Sequence, residues 1–171
     1  MILNKKLLLL STTALLMTAC VSTKPITHAE FMKEADNASG FTKSMLHITE
    51  KNVNVNFSKA ISNIKRQSRV CISPTAVSYG IAGSMMPNAT VTKRHVSMKK
   101  ISSRKAQFTI KADEAMMMQP EGGSIAFAAD ITKTGANRIH IKSVSSFVHE
   151  NLHDAIEGWS KGSKSCYGIP Q

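Results

Sequence analysis

Near the C-terminal end of the chain, His149-Glu150-Asn151-Leu152-His153 reads H-E-x-x-H. On a helix, histidines four residues apart share a face and can hold one Zn²⁺ ion. The glutamate between them can then take a proton from a metal-bound water, which is hydrolytic chemistry. In that reading His149 and His153 are the metal ligands and Glu150 is the catalytic base. A catalytic zinc needs a third protein ligand. No histidine follows His153, and Glu157 lies only one turn farther along the same helix. His28, His47, His95 and His140 are remote in sequence. A plainer account is sufficient: the two histidines flank the apolar stripe of an amphipathic helix, and Glu150 joins its solvent-facing acids. The expectation is therefore no catalytic residue and no cofactor, with Zn as the alternative.

Over those five residues the segment resembles the active-site helix of zinc metallopeptidases. The resemblance implies a zinc-dependent metallopeptidase or hydrolase as the alternative function.

A second kind of chemistry sits on Cys20. Lys5 and Lys6 precede an apolar stretch from Leu7 to Met17, broken only by Ser11, Thr12 and Thr13, and no acidic residue occurs before Glu30. Such a stretch is too short for the ~30 Å hydrocarbon core, which takes roughly 20 apolar residues. It has the pattern of a secretory signal. Leu16-Met17-Thr18-Ala19-Cys20 resembles the lipobox of bacterial lipoproteins, with Met17 where leucine is usual. The resemblance implies a diacylglycerol thioether on Cys20, cleavage before it, and acylation of its new amino group, typically with palmitate. Such lipoproteins carry aspartate after the cysteine when they are retained at the inner membrane. Val21 stands there, so the resemblance implies an outer-membrane anchor facing the periplasm.

The remaining cysteines, Cys71 and Cys166, form an even pair, and in an oxidising compartment such a pair reads as one disulfide. Two separate buried thiols are the alternative. The chain of 171 residues carries 22 Lys and Arg against 11 Asp and Glu, net +11. Losing Lys5 and Lys6 with a leader lowers that by two. A positive protein at a membrane fits a protein partner or an anionic envelope component. Nucleic acid is a poor partner in that compartment.

These groups need elements to position them. Residues 1–19 are read as signal peptide and 20–43 as acylated cysteine plus flexible tether, although Ala29–Asp36 has the pattern of two helical turns. One α+β domain is expected over 44–171. It opens with a strand within residues 44–55, with Val53 and Val55 alternating with asparagines, followed by a helix capped by Asn56, with Phe57, Ile61, Ile64 and Cys71 or Ile72 at helical spacing and Pro74 as its stop. Period-two runs follow: Val96 and Met98 weakly, then Ala106–Ala112, Ile125–Ile131 with Phe127 and Ala129, and Ile139–Ile141. Residues 120–123 and 134–137 supply turns. A last helix is expected from about Ser145 to Ser160, with Val148, Leu152, Ala155, Ile156 and Trp159 as its apolar stripe and Gly162 after it.

The fold class is α+β. An antiparallel sheet of five or six strands, in β-α-β4/5-α order, packs two helices on its apolar face. This order resembles helix-grip and TATA-binding-protein-like folds used by periplasmic lipoproteins, over roughly residues 44–166; it implies a fold and no function. The polar face presents Lys99, Lys105, Lys111, Arg138, His140 and Lys142 as a possible basic contact surface or simply a solvated one. Met85, Met86, Met116, Met117 and Met118 suit core filling better than Cu(I) binding. The favoured function is a lipid-anchored, non-enzymatic module that binds a partner or an envelope component.

Overall fold

Segments that alternate apolar and polar residues must pair so that one side of each is hidden. The computed structural model describes residues 27–79, 89–114, 123–146 and 149–169. In it β1 (Leu46–Val53), β2 (Thr75–Tyr79), β3 (Ala89–Lys100), β4 (Lys105–Glu114), β5 (Ser124–Gly135) and β6 (Arg138–Ser146) form one antiparallel sheet, ordered β1-β6-β5-β4-β3-β2. Ile110 stands opposite Phe127, Phe108 opposite Ala129, Ile131 opposite Ile141, and Val53 opposite Ile139. A one-residue slip would turn each apolar set to the other side, so burial fixes the register.

Helices α3 (Phe57–Cys71) and α4 (Asn151–Lys161) cover that inner face. Asn56 caps α3, its Oδ1 accepting from the Ser58 and Lys59 N–H groups, which satisfies donors a helix start leaves open. Phe57, Ala60 and Ile64 of α3 and Leu152, Ala155, Ile156 and Trp159 of α4 join the strand residues in one core. Gly162 ends α4 at φ 99°, a left-handed conformation that costs glycine little. Cys71 and Cys166 are bonded, closing a separation of 95 residues and tying the end of α3 to the segment after α4. The expected α+β architecture and disulfide are both present.

Four details differ from the sequence reading. Residues 28–37, placed above in a tether, form α1 (His28–Asn37), which docks on the outer face of the sheet. Phe31, Met32 and Ala35 pack there on Ile125, Ala128 and Val144, with Leu46 beside them. The capping box of Thr27 and Glu30 starts this helix, and a short α2 (Gly40–Ser44) leads into β1. Secondly, Ile125 belongs to that outer cluster and not to the side of Phe127. The β4–β5 register skips Ala126, and one extra residue reverses the facing beyond it. Thirdly, α4 begins at Asn151 rather than near Ser145, because residues up to Ser146 stay in β6, paired with Leu46 of β1. Finally, β2 is an edge strand that the sequence reading did not single out.

The residues read above as a signal segment, Cys20, Val148 and the paired and triple methionines lie outside the described residues.

Replacing Phe31 by Ala should lower stability by about 3 kcal/mol, the usual cost of truncating a buried phenylalanine, measured by urea unfolding. Replacing Cys71 and Cys166 together by Ala should cost about 2–5 kcal/mol. Peptide mapping without reductant should recover the two cysteines in one linked fragment.

Candidate functional site

The H-E-x-x-H residues straddle the start of α4. His149 lies in the turn before the helix, Glu150 is its N-cap residue, and only Asn151, Leu152 and His153 fall within it. Glu150 is exposed and faces His47 of β1, Oε1 to Nδ1 at 3.2 Å. His149 lines a small surface concavity with Ile72, Arg94, Ile110 and Leu152 among its walls. Burial lowers the pKa of Arg94 at this place.

His153 has a different environment. It is only 6% exposed. Ser143 Oγ is 2.7 Å from its Nδ1 and Ser145 Oγ is 2.9 Å from its Nε2. A neutral imidazole donates from one nitrogen and accepts at the other, so two serine hydroxyls occupy both functions. The Phe127 ring meets the imidazole edge-on at 5.3 Å between centroids, and His47 does so at 5.9 Å. Desolvation, helped by the nearby His47, pushes the His153 pKa down to about 4.

These residues do not fit a catalytic zinc. Both His153 nitrogens are taken by β6 serines, and the described residues contain no group of three or more His, Cys, Asp or Glu placed to hold a metal ion. The arrangement is a buried polar clasp between α4 and β6. Ser143 and Ser145 are the residues the sequence reading missed. Their signal was readable: they continue the inward parity of Ile139 and Ile141, and a hydroxyl on an apolar face calls for a buried partner.

The proposed basic face is divided by the fold. Lys105 pairs with Asp130 at 2.9 Å. Lys142 pairs with Asp36 of α1 and lies 3.9 Å from Glu50, while His140 lies 3.7 Å from Glu50. Arg138 sits at the β5–β6 turn, beside Gly135. Lys99 and Lys111 instead line a groove between β3–β4 and the first turn of α1, together with His95 and His28. So the structure brings Lys99 and Lys111 together and sets the other four apart, three of them facing acids.

His28 anchors α1 at this groove. Its Nε2 is 3.0 Å from Asp130 Oδ1 and its Nδ1 is 2.7 Å from Thr109 Oγ1. Burial would raise the Asp130 pKa, but hydrogen bonds from His28 and Lys105, with the Lys105 charge, bring it down to about 2.

No family model matches the chain, and no curated protein matches it. Among solved structures, a hypothetical protein from Helicobacter pylori is similar at 9% identity and a TM-score of 0.35, covering 74% of this chain and 91% of that one. Among the described residues no helix is long and apolar enough to cross a membrane.

The His153 environment dictates a pH response. The folded pKa lies below the ordinary 6.5, so the unfolded chain binds the extra proton first as pH falls. Stability should drop between pH 6.5 and 4 by on the order of 3 kcal/mol from this group. Asp130 adds its own loss only below 3.8, toward pH 2. Urea titrations across pH 4–7 should show a flatter profile for His153→Gln than for the parent; equal slopes would contradict the assignment.

Proposed function

We propose that the chain is a bacterial lipoprotein precursor, anchored through acylated Cys20 at the outer membrane and facing the periplasm. Its α+β domain serves there as a non-enzymatic module that binds a partner protein or an envelope component. One observation carries the reading. Cys71 and Cys166 are bonded to each other, which suits an exported protein and leaves Cys20, inside the lipobox-like run, as the third cysteine. The same division explains why a thiol stands directly after small residues at the end of an apolar leader. Against catalysis, His153 spends both ring nitrogens on serines, and Glu150 faces His47 at the surface.

Cells fed an alkyne fatty acid should label the parent chain and not Cys20→Ser, and the variant should leave the membrane fraction. A Cys20→Ser chain that matures normally and stays on the membrane would remove the anchor. Zinc at one equivalent in the purified protein, lost on His149→Ala, would restore the hydrolase reading.

A further inference from the structure

Among the described residues two basic surfaces stand out. One is the exposed side of α3, with Lys59, Lys65, Arg66 and Arg69. The other is the outer face of β3–β4. There the register sets His95 across from Lys111, Ser97 across from Thr109 and Lys99 across from Gln107. Lys93 lies two residues before His95 on the same side, so the stripe from Lys93 to Lys99 is roughly 20 Å long at the rise of a strand. Among the described residues, none of Lys93, Lys99 and Lys111 takes part in a salt bridge, in contrast to Lys105 and Lys142. Asp113 stands opposite Lys93, and Glu30 is turned back onto the Thr27 cap.

The path of the chain distinguishes the two surfaces. The first turn of α1, at Thr27 and His28, forms one wall of the groove whose other wall is this stripe. His28 is fixed to Thr109 at the stripe's centre. Six residues lie between Cys20 and Thr27, and an extended segment of those seven steps reaches at most about 25 Å. Lipid on Cys20 would therefore keep the bilayer surface within that distance of Thr27, on the groove wall that faces Lys99 and Lys111. The basic side of α3 lies beyond the sheet, roughly 20 Å farther away through two packed layers.

We infer that the outer-face stripe of Lys93, His95, Lys99 and Lys111 docks on the anionic phosphate headgroups of the membrane that holds the Cys20 anchor. This rests on the lipoprotein reading for the position of the bilayer. The contact presents the β3–β4 side of the sheet to the lipid and leaves α3, α4 and the disulfide turned to the periplasm. Its range is about one Debye length, ~8 Å at physiological salt, so an anchor favours it by bringing the surfaces together, and it weakens as salt rises.

Lysine acetylation read by mass spectrometry tests this on the full mature chain extracted from membranes. The protein is reconstituted into vesicles of phosphatidylethanolamine with phosphatidylglycerol, or into phosphatidylcholine vesicles. Labelling of Lys93, Lys99 and Lys111 should fall at least about threefold in the anionic vesicles and recover near 0.5 M salt, where screening is short-ranged. Lys59 and Lys65 should label equally in both. In Lys99→Glu/Lys111→Glu, protection of Lys93 should disappear. Equal labelling of the stripe in the two vesicle types, or protection of the α3 lysines instead, would overturn the inference. The intact mass reports acylation separately. Acyl groups on Cys20 without protection leave the anchor and remove the headgroup contact. Protection without acyl groups sustains the contact and removes the anchor.

Discussion

Strand β5 is buried on both sides, and the rest of the architecture follows from that constraint. Phe127, Ala129 and Ile131 face the core under α3 and α4, while Ile125 and Ala128 face the opposite way. A strand in the middle of a sheet with apolar residues on both faces needs a cover on each. Two helices supply the inner cover. The outer cover is α1, from the segment before β1. Burial of Phe31 and Met32 is worth about 1.5–3 kcal/mol for each side chain. That gain places the first turn of α1 against β4 and so decides where the N-terminal segment leaves the domain.

Much of this was legible. The inner face could be read from alternation alone, since Phe108, Ile110, Ile131, Ile139 and Ile141 repeat at period two and all are buried. Asn56, Gly162 and the Cys71–Cys166 pair also do what their types suggest. The outer cover was harder to see. The run Ile125-Ala126-Phe127-Ala128-Ala129 is apolar at every position, which is the mark of a strand hidden on two sides, but its alanines are small enough to pass for solvent-facing residues. The skipped residue at Ala126 then reverses Ile125, and a bulge leaves no periodic trace. Gly123 marks the place: its φ is +77°, and a Cβ there would lie 2.5 Å from the Ala112 carbonyl oxygen.

The candidate catalytic motif shows why a local pattern needs its neighbours. H-E-x-x-H becomes a zinc-binding face only when both histidines lie on one helix with free lone pairs. Here the preceding residues pair with β1 and belong to β6, which postpones the helix. The strand's last inward positions are serines, and they meet His153 at hydrogen-bonding distance. Among the described residues no buried side-chain nitrogen or oxygen lacks a partner, so the clasp is complete as it stands. Unpaired polar groups at depth cost more than paired ones gain, and a satisfied neutral imidazole accounts for the burial of His153.

Charge is distributed by the same docking of α1. Asp36 at its far end meets Lys142, and His28 at its near end meets Asp130, which also holds Lys105. Each contact ties the helix to a different strand, Lys142 on β6 and Asp130 on β5, so the helix is held at both ends as well as by its apolar middle. These pairs consume the cations nearest α1, while among the described residues Lys93 and Lys99 of β3 and Lys111 of β4 take part in no salt bridge. A helix held only by Phe31, Met32 and Ala35 would have one fulcrum and could swing about it. Polar contacts at both ends fix its direction across the sheet.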